Sequence, residues 1–272
     1  PGSMSATPVL QNLEMPFPGS DSYRGYLIGL KEKMKRRKVS GFRQTVETSD
    51  SLPLLLNSFD GNKYNSSVPN DNSMAISNGG KLVSVANSTV YIFDTSPDSL
   101  IFTLSLQSFS DTLNLAPFKY DPRVLYDPEA DRFVLVFLSG TYDSTSNIIA
   151  AFSQSDDPKG YWNFYALDGN PLNDTTWSDY PMIAVNKNEL FITINSLVNG
   201  QPWQTAFRQT LVWQVDKQRG YDGDTLVSAL HSGIAYDSLQ LRNLCPVKGG
   251  SGLYGPSMYF MSNRNFAVQC DS

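Results

Sequence analysis

Beyond residue 70 a period of two takes over, in short runs, some alternating and some continuously apolar, such as "KLVSVA", "TVYIFD", "RFVLVF", "NIIAAF", "WNFYAL", "ELFITIN" and "TLVWQVD". β-branched and aromatic residues fill these runs, and clusters of Asn, Asp, Gly, Ser and Pro separate them, so this part of the chain is predicted to be all-β. Helical spacing occurs once, nearer the N-terminus. In "SDSYRGYLIGLKEKMKRRKV", Tyr23, Tyr26, Leu27, Leu30 and Met34 fall on one face behind Ser20, Asp21 and Ser22 as caps. That spacing predicts a short amphipathic helix over Tyr23 to Lys38. A polar linker from Val39 to Asn65 follows it.

The strands come in a repeat. "PNDNSMAISNGGKLVSVAN", "KYDPRVLYDPEADRFVLVF", "SDYPMIAVNKNELFITIN" and, more faintly, "LYGPSMYFMSNRNFAVQ" share one grammar: an acidic or polar residue, usually a Pro, a short strand, a tight turn and a second apolar strand. Asn186, Leu190 and Asn195 stand where Asn78, Leu82 and Asn87 do. Each unit reads as a β-hairpin followed by a further pair of strands, and four strands per repeat predict the blades of a β-propeller, about four of them in this chain. The expected plan is a cloning remnant at 1–4, helix and linker over 5–51, and blades over 52–272. Because the fourth hairpin is barely begun at Ser272, the blades are expected to be part of a larger propeller. Further sequence or a second chain would complete the ring, since an open ring leaves strand edges unpaired.

The paired Asp-Pro dipeptides of "YDPRVLYDPEADR" acquire a physical meaning in this scheme. Pro fixes φ ahead of an inner strand where no ladder donor is needed, and the Asp beside it accepts backbone N–H bonds at the turn. The second pair, Asp127 and Pro128, starts the hairpin reversal.

Charge narrows the partners. The 272 residues carry 21 basic and 26 acidic side chains, a net charge of -5, and eight of those 21 basic residues lie between Arg24 and Arg43. The remaining chain is distinctly acidic, which excludes nucleic acid as the main partner. The basic end of the helix suits an acidic surface, or simply a solvated face whose cations favour the helix C-terminus. No apolar run reaches the ~20 residues of a membrane-spanning helix. Cys245 and Cys270 are too few for a disulfide framework and lack zinc-site spacing; they pair if the fold brings them together, and otherwise remain buried thiols.

"PNDNSMAISNGGKLVSVANSTVYIFD", "YDPRVLYDPEADRFVLVF", "SQSDDPKGYWNFY" and "DYPMIAVNKNELFITIN" resemble the secreted, cell-surface β-propeller proteins exported by type IX secretion in Bacteroidota, over roughly Leu52 to Ser272. The resemblance lies on scaffold strands and turns. It implies export, surface display, and a binding or adhesion module for a glycan or protein at the cell surface, without catalysis. The alternatives are a glycan-active enzyme, a sialidase-like hydrolase or lyase, and a structural part of the secretion or gliding apparatus.

Candidate chemistry concentrates ahead of the inner strands. Asp71, Asp121 and Asp179 each precede one, accompanied by Tyr120, Arg123, Trp177 and Tyr180. Convergence at one mouth of a channel would let the three carboxylates hold a hard cation such as Ca²⁺ and let the rings stack on sugars. The plainer reading is that each Asp caps its own turn and each ring packs between sheets. Trp203 and Phe207, on the insertion "NSLVNGQPWQTAFRQT", are candidate contact residues because long loops carry recognition. "SDDPKGYW" resembles the structural Asp-box turn of sialidases, with Gly160 and Trp162 displaced. His231 has no neighbouring nucleophile motif, so a hydrolase triad is not supported.

Overall fold

The computed structural model describes residues 58–63, 70–202, 205–236, 238–249, 252–253 and 255–262, together with Gly25, Gly29, Glu32 and Lys33. The expected helix over Tyr23 to Lys38 lies almost wholly outside the described residues, as do Trp203 and Cys270; Cys245 is a free thiol. Two units divide the chain, Pro1–Leu54 with Asn265–Ser272, and Leu55–Arg264. Every element below belongs to the second.

Three four-stranded antiparallel sheets follow one another, each a meander in chain order. The first comprises β1 (Asn72–Ile76), β2 (Lys81–Ala86), β3 (Thr89–Asp94) and β4 (Ser99–Ser105). The second comprises β5 (Lys119–Asp127), β6 (Arg132–Ser139), β7 (Asn147–Ser153) and β8 (Trp162–Asp168). The third comprises β9 (Thr176–Val185), β10 (Glu189–Val198), β11 (Phe207–Asp216) and β12 (Ser228–His231). Two short ladders, β13 (Ala235–Tyr236) with β14 (Leu239–Gln240) and β15 (Cys245–Pro246) with β16 (Phe260–Met261), come last. The helices are short: α1 (Leu106–Phe109), a 3₁₀ turn (Asp111–Leu113) and α2 (Lys217–Asp222).

The alternation read from the sequence sorts residues between two cores. Along β6, Phe133, Leu135 and Phe137 face the first sheet and pack with Val83, Val85 and Ile92. The intervening Val134, Val136 and Leu138 face the third sheet and pack with Ile183, Ile192 and Ile194. A strand buried on both faces must be apolar at nearly every position, which is why "FVLVFL" is a continuous run. The sheets therefore stack face to face in chain order, and first strands lie beside first strands, β1 by β5, β5 by β9 and β9 by β15.

The hairpin turns obey the expected chemistry. Asp127 Oδ1 accepts from the backbone N–H groups of Glu129 at 3.1 Å and Ala130 at 3.2 Å. Asn186 Oδ1 accepts from those of Asn188 at 2.9 Å and Glu189 at 2.8 Å, and Ser77 Oγ from that of Lys81 at 3.1 Å. These turn residues also reach the next sheet. Asp127 Oδ2 lies 2.7 Å from Lys217 Nζ and accepts from Tyr221 Oη at 2.9 Å, forming a buried ion pair against α2. Asn186 Nδ2 donates to the Pro256 carbonyl at 2.9 Å.

Two details of the repeat differ from the expected alignment. Val185 faces Leu190 as Ile76 faces Leu82, so Asn186 corresponds to Ser77 rather than Asn78, because the first turn is one residue longer. The fourth hairpin does not begin at Leu253. Its first strand is β15, with Cys245 opposite Met261, and the Pro256 region leads into the second strand, β16. Bonds from β10 decide this: Thr193 Oγ1 donates to the Leu244 carbonyl at 2.6 Å, and Asn195 Nδ2 donates to Asn243 Oδ1 at 2.6 Å.

Candidate functional site

Both Asp-Pro and Asp-Tyr-Pro turn out to be bulges inside the first strands. The register slips between Tyr120 and Arg123 in β5, and in β9 opposite Thr193 and Asn195. In each bulge the residue before Pro is left-handed, Asp121 at φ 51° and Tyr180 at φ 52°. Pro disfavours the right-handed helical region for its predecessor, and an extra residue in one strand must be absorbed by a local bend. Asp adopts that conformation readily; Tyr does so at some strain.

The bulges read one another across the gap between sheets. Tyr120 Oη lies 3.0 Å from the Gly140 carbonyl and 2.9 Å from that of Ser178, donating toward both. The Tyr180 N–H donates to Asp121 Oδ2 at 3.3 Å, and Arg123 Nε donates to the Pro181 carbonyl at 3.0 Å. Asp121 thus caps the neighbouring sheet's bulge rather than its own turn. One sheet earlier, Ser73 Oγ accepts from the Val124 N–H at 3.1 Å, so the same kind of tie joins β1 to β5.

Asp121 and Asp179 hydrogen-bond to each other at this end of the strands. Burial, then the charge of Asp121, pushes the Asp179 carboxyl up to about 7. Burial and the charge of Asp71 also raise Asp121, opposed by Arg123. Two carboxylates in contact cannot both ionise cheaply, so the pair holds one proton at mildly acidic pH, carried by Asp179 and donated to Asp121. Burial, reinforced by both carboxyls, drives the Tyr120 phenol far above its ordinary value, leaving it a neutral donor.

Most of the residues singled out from the sequence assemble here. Asp71, Tyr120, Asp121, Arg123, Asp179 and Tyr180 share this neighbourhood, and the Trp177 ring meets that of Tyr120 edge-on at 6.2 Å. Phe207 joins through Arg242, whose guanidinium lies 5.3 Å from the centre of its ring and whose charge acts on Asp179. Arg242 escaped the sequence reading; the structure shows the following Asn243 left-handed at φ 54°, like the two bulge residues. Asp71, Asp121 and Asp179 do not form the expected cation cage: among the described residues no group of three or more His, Cys, Asp or Glu is placed to hold a metal ion.

The other motifs are structural. In "SDDPKGYW", Asp157 Oδ1 accepts from the Lys159 N–H at 3.0 Å, and Trp162 Nε1 donates to the Pro158 carbonyl at 2.9 Å, closing the turn between β7 and β8. Among the described residues His231 meets only the Gln214 amide, at 2.9 Å. Among the described residues no helix is long and apolar enough to cross a membrane. No protein-family model, no curated protein and no solved structure matches the chain.

Proposed function

We propose that this chain is part of a secreted, cell-surface β-propeller of the type IX secretion group, acting as a non-catalytic module that binds a glycan or protein at the leading end of its inner strands. Sheets stacked face to face with first strands adjacent are what radial blades produce, and the repeated ties β1 to β5 and β5 to β9 suit a common axis. The face of the first sheet turned away from the second would then meet a further blade or a second chain.

The observation that carries the binding reading is Tyr180. Its ring is 41% exposed, held by a left-handed backbone beside the carboxyl pair, with the Arg123 guanidinium 5.6 Å from its centre. An exposed aromatic face flanked by charged hydrogen-bonding groups is suited to stacking on a sugar ring and bonding its hydroxyls. Hydrolysis fits the geometry less well. Two-carboxylate glycosidases separate their carboxyls by about 5 to 9.5 Å, whereas Asp121 and Asp179 touch.

A glycan array tests this directly. Tyr180→Ala is expected to lose at least tenfold in affinity for any glycan the parent chain retains, with thermal stability unchanged. Release of cleaved product, or a stable complex with an envelope protein alongside an empty array, would replace the reading with an enzyme or a structural component.

A further inference from the structure

The first strands enclose a second feature, distinct from the carboxyl pair. Residues 74–76 of β1, 124–126 of β5 and 184–185 of β9, with Lys248, Gly249 and Leu253, surround a cavity of about 350 Å³. Consecutive residues line it, as expected where strand edges are seen from the side, for each of these strands has a ladder partner on one side only. The volume lies toward the lower end of the ~300–1,000 Å³ typical of small-molecule sites.

Its chemistry is mixed. Aliphatic side chains share the wall with Asn78, Tyr126 and the unpaired backbone groups of the strand edges, and Met74 and Ile76 leave 64% and 53% of their surface open. Lys248 stands on this wall, and none of the ion pairs among the described residues includes it. Lost hydration lowers its pKa and the nearby Arg123 charge lowers it further; only Cys245 opposes them. A cation on a concave surface that also carries aliphatic side chains, beside a second cation and with no carboxylate among the described lining residues, gains from an incoming anion. Those aliphatic side chains reward an aliphatic body on that anion more than a fully charged one such as inorganic phosphate.

We propose that this cavity binds a small monocarboxylate with an aliphatic chain, its carboxylate against the Lys248 ammonium and its chain along Met74, Ile76 and Val185. Neither Asp121 nor Asp179 lines the cavity, so the site stands or falls independently of the glycan-binding reading.

The test uses the chain as it is, with methyl-labelled methionine and titration by sodium hexanoate and by 1-hexanol. The Met74 signal, assigned through Met74→Leu, is expected to shift with hexanoate at millimolar concentration or below, and at least tenfold more weakly with hexanol. Lys248→Met should reduce hexanoate to the affinity of hexanol, and Lys248→Arg should restore it to within about threefold of the parent, because either cation pairs with a carboxylate. Lys248 takes part in none of the ion pairs among the described residues, so both variants should unfold near the parental temperature, which a melting curve verifies. Equal affinities for acid and alcohol in the parent chain, an unchanged hexanoate affinity in Lys248→Met, or no Met74 shift with either probe would overturn the proposal.

Discussion

Replacing Asp179 with Asn probes the carboxyl pair without emptying its place. In the folded chain the Asp179 carboxyl titrates at about 7, against 3.8 when unperturbed. The folded state therefore keeps a proton that the unfolded chain releases. A raised carboxyl pKa contributes stability that is complete below the unfolded value and is lost progressively as pH climbs from about 4 through 7. At ~1.4 kcal/mol per pH unit, the roughly three-unit shift amounts to about 4 kcal/mol. The Asn amide donates to Asp121 as the protonated acid does but cannot ionise. Urea unfolding at a series of pH values between 5 and 8 should give a parent stability falling with pH and a markedly flatter curve for Asp179→Asn, the variant being the more stable by a few kcal/mol at pH 8. Parallel curves would refute the shared proton, because every other titrating group is common to both chains.

Elsewhere, Lys217→Met should destabilise the fold by about 3 to 5 kcal/mol at neutral pH in chemical denaturation, since it strands Asp127 as a buried charge with only its turn N–H groups and Tyr221. The double variant Asp127→Asn/Lys217→Met should recover a substantial part of that loss. Gly220→Ala should lower the melting temperature through an overpacking penalty of about 1 to 3 kcal/mol. Its Cβ would fall 2.6 Å from atoms of the buried Phe152 ring, which sits in the core between the second and third sheets.

The sheets were legible because burial writes itself into composition: β6 and β10, buried on both faces, stood out as continuous β-branched and aromatic runs between turn residues, and Asp127 announced its own turn. The fourth hairpin was misplaced for the converse reason. β15 has two residues, too few to show a period, and its place depends on hydrogen bonds from Thr193 and Asn195 that only the assembled third sheet supplies. For the site, Asp71, Asp121 and Asp179 stood out as leading residues, yet their use did not. Asp121 lies in its bulge next to Pro122, whereas Asp179 precedes the bulge residue Tyr180 by one, and this offset is what turns the two carboxyls toward each other. The sequence shows the offset as Asp-Pro against Asp-Tyr-Pro but not the bulges it falls in or their juxtaposition, and a metal cage was the natural reading without them. Arg242 and Lys248 were hidden because "LRNLCPVK" has neither strand alternation nor a charge run.

Strand β6 supplies one wall of each of two cores, so the middle sheet cannot separate from either neighbour without baring an aliphatic surface. Cooperativity in this molecule should accordingly resemble a row of dominoes more than a single collapsing globule, with the outer sheets loosening while the centre stays shut. Lesions in Phe137 or Leu138, adjacent in the chain, would be felt on opposite sides of the protein.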